Sequence, residues 1–468
     1  MGYLNYKSVI FTLLLVISSS VLKAQIVTEY WKSEIKKHEG KLINNEPDSI
    51  WKYWYQSGKI KAIGAYENGL QIGEWNTWYE SGSKKSEGNM SEGSFKTWYI
   101  DGKIESDGFM LNRKKHGKWK YYYQNGKVEA EGLMQKGMKE GLWVYYHDNG
   151  TKKEETNYID GVEDGITTRW HKNGQIEMTG TFIKGELNGI TCWYYDNGKK
   201  EMTGKNINGL QDSLWIFYHK NGNIGSTGYF INGKQDSTWT YFYETSEKWK
   251  QGNFKNGSRE GKWITWFENG KVFKEGDFVN NRQNGIWTIW WENSQIKETG
   301  NYKDSLFDGT WVGFFKDGKK SFETEYVNNL NHGKSTIWWQ NGKVKLEANY
   351  QNGEFHGDYK YCDNKGNMIE KGSYIKDKKQ GKWTYYDLYG NVFREENYDN
   401  GYLNGKIITY HQNGKVRSEE FYKKNIKEGY YKMYDDKGEL LLKAKYKNGE
   451  KIDEYVSEKA KASSTINK

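Results

Sequence analysis

GKWKYYYQNGKVEAEGLMQKGMKEG, Gly117 to Gly141, is the stretch whose reading decides the fold. Its first and last glycines are 24 residues apart, and the same step recurs through Gly93, Gly165, Gly189, Ser213, Ser237, Gly261 and on to Gly429. Two earlier copies start at Ser49 and Gly73, the second only 20 residues long, which makes 17 copies. A fixed period of this size marks a repeat architecture, in which each unit buries its apolar face only against its neighbours.

With the leading glycine as position 0, position 2 is Trp in ten copies: Trp51, Trp75, Trp119, Trp143, Trp215, Trp239, Trp263, Trp287, Trp311 and Trp383. Position 5 is aromatic in every copy except the one with Cys362. Position 9 is Gly except at Ser246 and Ser294, usually after Asn, as in Asn125-Gly126. Asn-Gly between alternating runs predicts a hairpin with a two-residue type I′ turn, because both central residues then need positive φ. With positions 8 and 9 as the turn, position 2 faces 15, position 4 faces 13 and position 6 faces 11. Position 15 is usually Gly (Gly132, Gly180, Gly276), so each Trp is expected to lie across a glycine of its own hairpin. Positions 2, 4 and 6 fall on the apolar face, with 1, 3, 5, 12 and 14 on the charged one. A longer second turn near positions 19–22 reverses the chain again.

The fold expected is all-β: an elongated, twisted antiparallel β-meander of about 17 repeats and about 34 strands. The near absence of proline (Pro47 alone) suits an unbroken ladder. The 20-residue copy should be kinked between Gly88 and Gly93, and copies with Thr167, Thr191 or Ser335 in place of Trp should be softer.

Around the array, residues 1–24 read as a cleaved export signal: Lys7, the apolar run Val9–Ile17, then Ala24-Gln25 as a cleavage point. Residues 25–48 carry no full repeat and read as an N-terminal cap, 49–451 as the array and 452–468 as a polar tail. The chain is therefore expected in the periplasm, on the outer-membrane surface or secreted. Net charge is +9 with acids and bases interleaved, which argues against a nucleic-acid partner. Cys192 and Cys362, seven copies apart, are too distant to bond.

The segment Phe254–Phe278, FKNGSREGKWITWFENGKVFKEGDF, carries a G-x-W-x-x-aromatic-aromatic-x-N-G-K core followed by G-x-aromatic. It resembles MORN repeats, and more closely the MORN-variant repeats of bacterial proteins grouped as YwqK-type antitoxins, over residues 49–449. That resemblance implies an antiparallel repeat sheet acting in protein or membrane association. The antitoxin grouping implies neutralisation of a partner toxin. It supplies no catalytic residues.

No nucleophile elbow, zinc-protease helix motif, phosphate loop or metal-spaced cysteine pair occurs, so no catalytic, cofactor or metal site is expected. His147, His171, His219 and His411 share position 6 and read as substitutes for aromatics there. Asp363-Asn364-Lys365-Gly366 and Asp435-Asp436-Lys437-Gly438 read as turns rather than calcium loops. The feature a core does not require is the position-5 column, whose tryptophans Trp54, Trp78, Trp98, Trp170, Trp266, Trp290 and Trp338 form the candidate binding face. Rings on an open surface suit partner side chains, sugars or lipid headgroups; covered by lysine stems, they form a second structural ladder. The leading expectation is a non-enzymatic binding scaffold for a protein or envelope partner. A glycan- or cell-wall-binding array and antitoxin-like neutralisation are the alternatives, and a membrane surface is a further candidate partner.

Overall fold

The computed structural model describes residues 23–32 and 34–461. The expected export signal and the end of the tail lie largely outside them. The described residues form antiparallel strands joined in chain order, ending in a single helical turn at 458–461. Among the described residues there are 42 strands, five of them two-residue pieces such as Leu306–Phe307 that a bulge cuts from the strand behind it. The rest exceed the expected number because Ala24–Tyr30, Lys36–Ile43 and Glu450–Val456 extend the meander at its ends. The chain divides into two compact units, residues 1–210 and 211–468, each built the same way.

Within a hairpin the register holds where the core is. Trp119 pairs with Gly132 and Tyr121 with Ala130; in the second unit Trp263 pairs with Gly276 and Thr265 with Lys274. It shifts at the end of the first strand, where position 5 rather than 6 meets position 11, as in Tyr122↔Val128 and Trp266↔Val272. Position 12 is the residue left over. It swings onto position 6 instead of joining the charged face: Lys61 lies over Tyr55 at 5.7 Å, Lys345 over Trp339 at 4.5 Å, and Phe273 packs on Phe267 at 4.9 Å.

The two turns exchange the characters expected of them. The Asn-Gly turn is a three-residue loop: the Gly126 amide donates to the Tyr123 carbonyl (2.8 Å), the Tyr123 amide donates to Lys127 (2.9 Å), and only Gly126 has positive φ. That is a type I turn closed by a left-handed glycine. The second turn is the tight one. Gln135 pairs with Met138, and Lys136 and Gly137 between them have φ of 51° and 87°, the two-residue type I′ geometry.

The indole does not cover the glycine of its own hairpin. It leans back over the copy before: Trp143 over Gly132, Trp119 over Gly108, Trp287 over Gly276, Trp383 over Gly372. A bulge makes room. The ladder between copies skips from Gly132↔Trp143 to Leu133↔Glu140, leaving the Leu133 carbonyl without a ladder partner, and the indole N–H of Trp143 donates to it at 2.8 Å. The same bond joins Trp119 to Phe109 and Trp311 to Asn301, both at 3.0 Å. The position-17 ring then stands edge-on to the next indole, as Phe278 does to Trp287 at 5.2 Å and 89°. These indoles are nearly fully buried (Trp119 and Trp143 1% exposed), so hydrophobic burial on this face joins copy to copy.

Where Trp is missing, the glycine is usually missing from the preceding copy too. Thr167 bonds Thr156 (2.5 Å) and Ser335 bonds Thr324 (2.7 Å), so buried hydroxyls satisfy one another in the vacated space. The 20-residue copy lacks the bulge; Gly88 pairs with Phe95, and Asn89 Oδ1 caps the short turn by accepting from Ser91 and Glu92. Residues 25–48, read as carrying no full repeat, form a hairpin of the same kind: Trp51 covers Gly40, and Trp31 Nε1 donates to Trp54 as position-6 residues do. Both cysteines are free; Cys192 Sγ lies 3.1 Å from Thr203 Oγ1 and Cys362 is buried.

Candidate functional site

Position 5 closes the first strand of each hairpin, just before the three-residue loop, on the face opposite the buried indoles. Its polar surroundings are shown by Tyr146, whose hydroxyl donates to Glu131 Oε1 at 3.0 Å while Glu131 pairs with Lys120 at 2.9 Å. The Lys120 ammonium and the phenol hold the Glu131 carboxyl below its ordinary range.

The tryptophans of the candidate binding face all occupy this place, and all seven are half-buried. A lysine of the preceding hairpin sits over five of them: Lys36 over Trp54 (5.7 Å), Lys84 over Trp98 (5.9 Å), Lys152 over Trp170 (5.5 Å), Lys248 over Trp266 (5.8 Å) and Lys320 over Trp338 (5.7 Å). At this spacing and exposure each contact is worth about 0.5–1 kcal/mol. Such a lid is cheap to displace. Trp78 and Trp290 have Ile60 and Val272 at the corresponding place instead.

Two features of these surfaces escaped the sequence reading. One is an apolar row at position 1, assigned there to the charged face. Ile50, Leu142, Ile166 and Ile190 in the first unit, and Leu214 and Ile286 in the second, are exposed. The positive φ of the preceding residue (Gly141, 63°; Ser213, 61°) turns position 1 outward beside the bulge. Its signal was visible as aliphatic residues recurring directly after the leading glycine.

The other is a hydrogen-bonded seam along the loops. At position 6, Tyr55, Tyr123 and Tyr243 donate to the position-5 carbonyl one copy on, as do Trp291 and Trp339. Nε2 of His147, His171, His219 and His411 takes the same bond at 2.8–3.0 Å. The histidines therefore sit where other copies have Tyr or Trp, and what the column selects is a ring bearing a donor. Position 8 adds a second stitch. Asn125 accepts the Lys127 amide on Oδ1 and donates Nδ2–H to Asp148, and Asn149 and Asn293 repeat this. In the calcium-like loops Asp363 and Asp435 each accept two amides of their own turn on Oδ1, and Asp435 Oδ2 pairs with the Lys459 ammonium. Among the described residues no cluster of His, Cys, Asp or Glu could hold a metal ion.

Nine stretches of the chain match the MORN repeat variant: residues 47–68, 115–136, 139–160, 163–184, 259–280, 283–304, 331–352, 403–424 and 427–448. No curated protein sequence matches the chain. Among solved structures it is similar to the TcdB2-TccC3-Cdc42 complex (8% identity, 94% of this chain, 27% of that one, TM-score 0.15). It is also similar to the Photorhabdus luminescens Tc holotoxin pore carrying TccC3-D651A (10% identity, 91% and 30%, TM-score 0.13). The chain spans less than a third of the length of either.

Proposed function

We propose that this chain of MORN-variant repeats is an exported, non-enzymatic scaffold that holds a protein or envelope partner through the position-5 face. The supporting observation is the column of half-buried rings, present in every copy but the one with Cys362, five of whose tryptophans lie under displaceable lysines. A partner touching several copies gains by effective concentration what no single shallow site supplies. Antitoxin-type neutralisation is a narrower form of this reading, and its mark is a toxin whose lethality the chain relieves on co-expression.

The test is retention of envelope partners on immobilised chain, with Trp266→Ala/Trp290→Ala as the comparison. A specific partner kept by the natural chain and reduced at least tenfold by the double variant is expected. Equal retention by both refutes the role of the column, and recovery of the native protein from the cytoplasm refutes export.

A further inference from the structure

On the indole face of the second unit, three cations gather without a carboxylate among them. Lys250 and Lys274 occupy position 13 of adjacent copies, where Ala130, Met178 and Ser226 stand elsewhere. Both pair across the sheet with one residue, Thr265, so they sit two strands apart, about 9.6 Å along the sheet. Thr265 is small where neighbouring copies carry Tyr241 and Ile289, which leaves a groove of about 820 Å³ over Trp263. Arg259 lines the same groove.

Each cation rests on an aromatic ring. The Lys250 ammonium lies 4.3 Å from the centre of Tyr241 and 4.4 Å from Trp249, the Arg259 guanidinium 4.0 Å from Phe278, and the Lys274 ammonium 5.7 Å from Phe273. Burial pushes the Lys250 ammonium below its usual range, and Arg259 and Lys274 push it the same way. Several other cations on this face have carboxylates (Arg169 has Glu154, Lys379 has Glu370, Arg394 has Glu396 and Lys427 has Glu420), while Lys61 and Lys345 rest singly on rings. Lys115 and Lys139 stand singly and donate to Tyr hydroxyls. Three mutually repelling charges at a half-buried site, none of them in an ion pair among the described residues, are arranged to receive anions.

We propose that this groove binds an acidic polysaccharide, with its anionic groups on Lys250, Lys274 and Arg259 and a sugar ring against Trp249. Trp249 is 41% exposed at the rim and is the one Trp at position 12, where other copies carry mostly Lys or Glu. Thr265 and Gln283 in the lining are neutral partners for sugar hydroxyls. The three cations and Trp249 are on the indole face, and Trp266 of the position-5 column also lines the groove, so the cation variants and not Trp266→Ala decide this site.

The experiment titrates the purified chain with oligogalacturonate, dextran sulfate, neutral dextran, polyglutamate and oligodeoxythymidylate. An acidic polysaccharide should bind at least tenfold tighter than neutral dextran. Lys250→Gln/Arg259→Gln/Lys274→Gln should lose at least tenfold, while Lys118→Gln/Lys334→Gln/Lys406→Gln, with the same charge removed from exposed sites, stays within twofold. Equal losses in the two triple variants overturn the site, as does an unchanged first variant. Tighter binding of polyglutamate or the oligonucleotide overturns the ligand class. If circular dichroism shows the first variant misfolded, Lys274→Gln alone is read, with a loss of at least threefold expected and no loss overturning the site.

Discussion

Trp143 lies over Gly132, eleven residues before it and in the preceding copy, and donates its indole N–H to the Leu133 carbonyl at 2.8 Å. A methyl group on Gly132 would overlap the indole. Gly132→Ala should therefore destabilise this junction by about 1–3 kcal/mol through overpacking, and Trp143→Ala by about 3–5 kcal/mol. The double variant Gly132→Thr/Trp143→Thr copies the natural Thr156–Thr167 pair and should cost less than Gly132→Thr and Trp143→Thr summed. Hydrogen exchange of the amides at 130–146 reads the effect locally, and additive losses would show that the pair is not coupled.

The tight turn makes a prediction of opposite signs at neighbouring residues. Lys136 and Gly137 both have left-handed φ. Gly137→Ala should cost about 1 kcal/mol, whereas Lys136→Asn should raise stability slightly, since Asn enters that region more easily than Lys. Urea denaturation of the two variants checks the contrast.

The seam along the loops gives a chemical test. His147→Phe removes the donor to the Trp170 carbonyl and should cost about 1 kcal/mol or more. His147→Tyr restores the arrangement of Tyr123 and Tyr146 and should recover most of that loss. Thermal melts of the two variants at neutral pH decide it.

Alkali should unfold the array. Burial and neighbouring charge push the phenols of Tyr359, Tyr398 and Tyr422 up to about 12, above the value of about 10 in an unfolded chain. Each folded value is the higher one, so the contribution is complete below pH ~10 and is lost as pH rises toward ~12. Melting temperatures measured from pH 8 to 11.5 should be flat at first and then fall; a flat profile throughout would contradict this.

The meander, the core register and the buried tryptophans were legible because period-two alternation and large rings leave few alternatives. The turns were not, because Asn-Gly serves both. Asn125 keeps negative φ and uses its side chain to reach Asp148, whereas Asn256 itself takes φ of 51° in the tight turn. The dipeptide carries no mark of which role it plays. The direction of the indole was readable and was missed. Trp143, Trp311 and Trp383 face Thr156, Thr324 and Glu396 in their own hairpins, yet each follows a glycine by eleven residues: Gly132, Gly300 and Gly372. The cationic groove stayed hidden because Trp249-Lys250 and Phe273-Lys274 look like ordinary second-strand residues until Thr265 places them side by side.

Because the indole leans backward, the array has a polarity. Shortened by whole units from its C-terminal end, the chain keeps every remaining tryptophan on the floor it was built for. Shortened from the other end, it strands its first one. Growth on the ribosome runs in the favourable sense: each unit that emerges brings the cover for the seat its predecessor has already made.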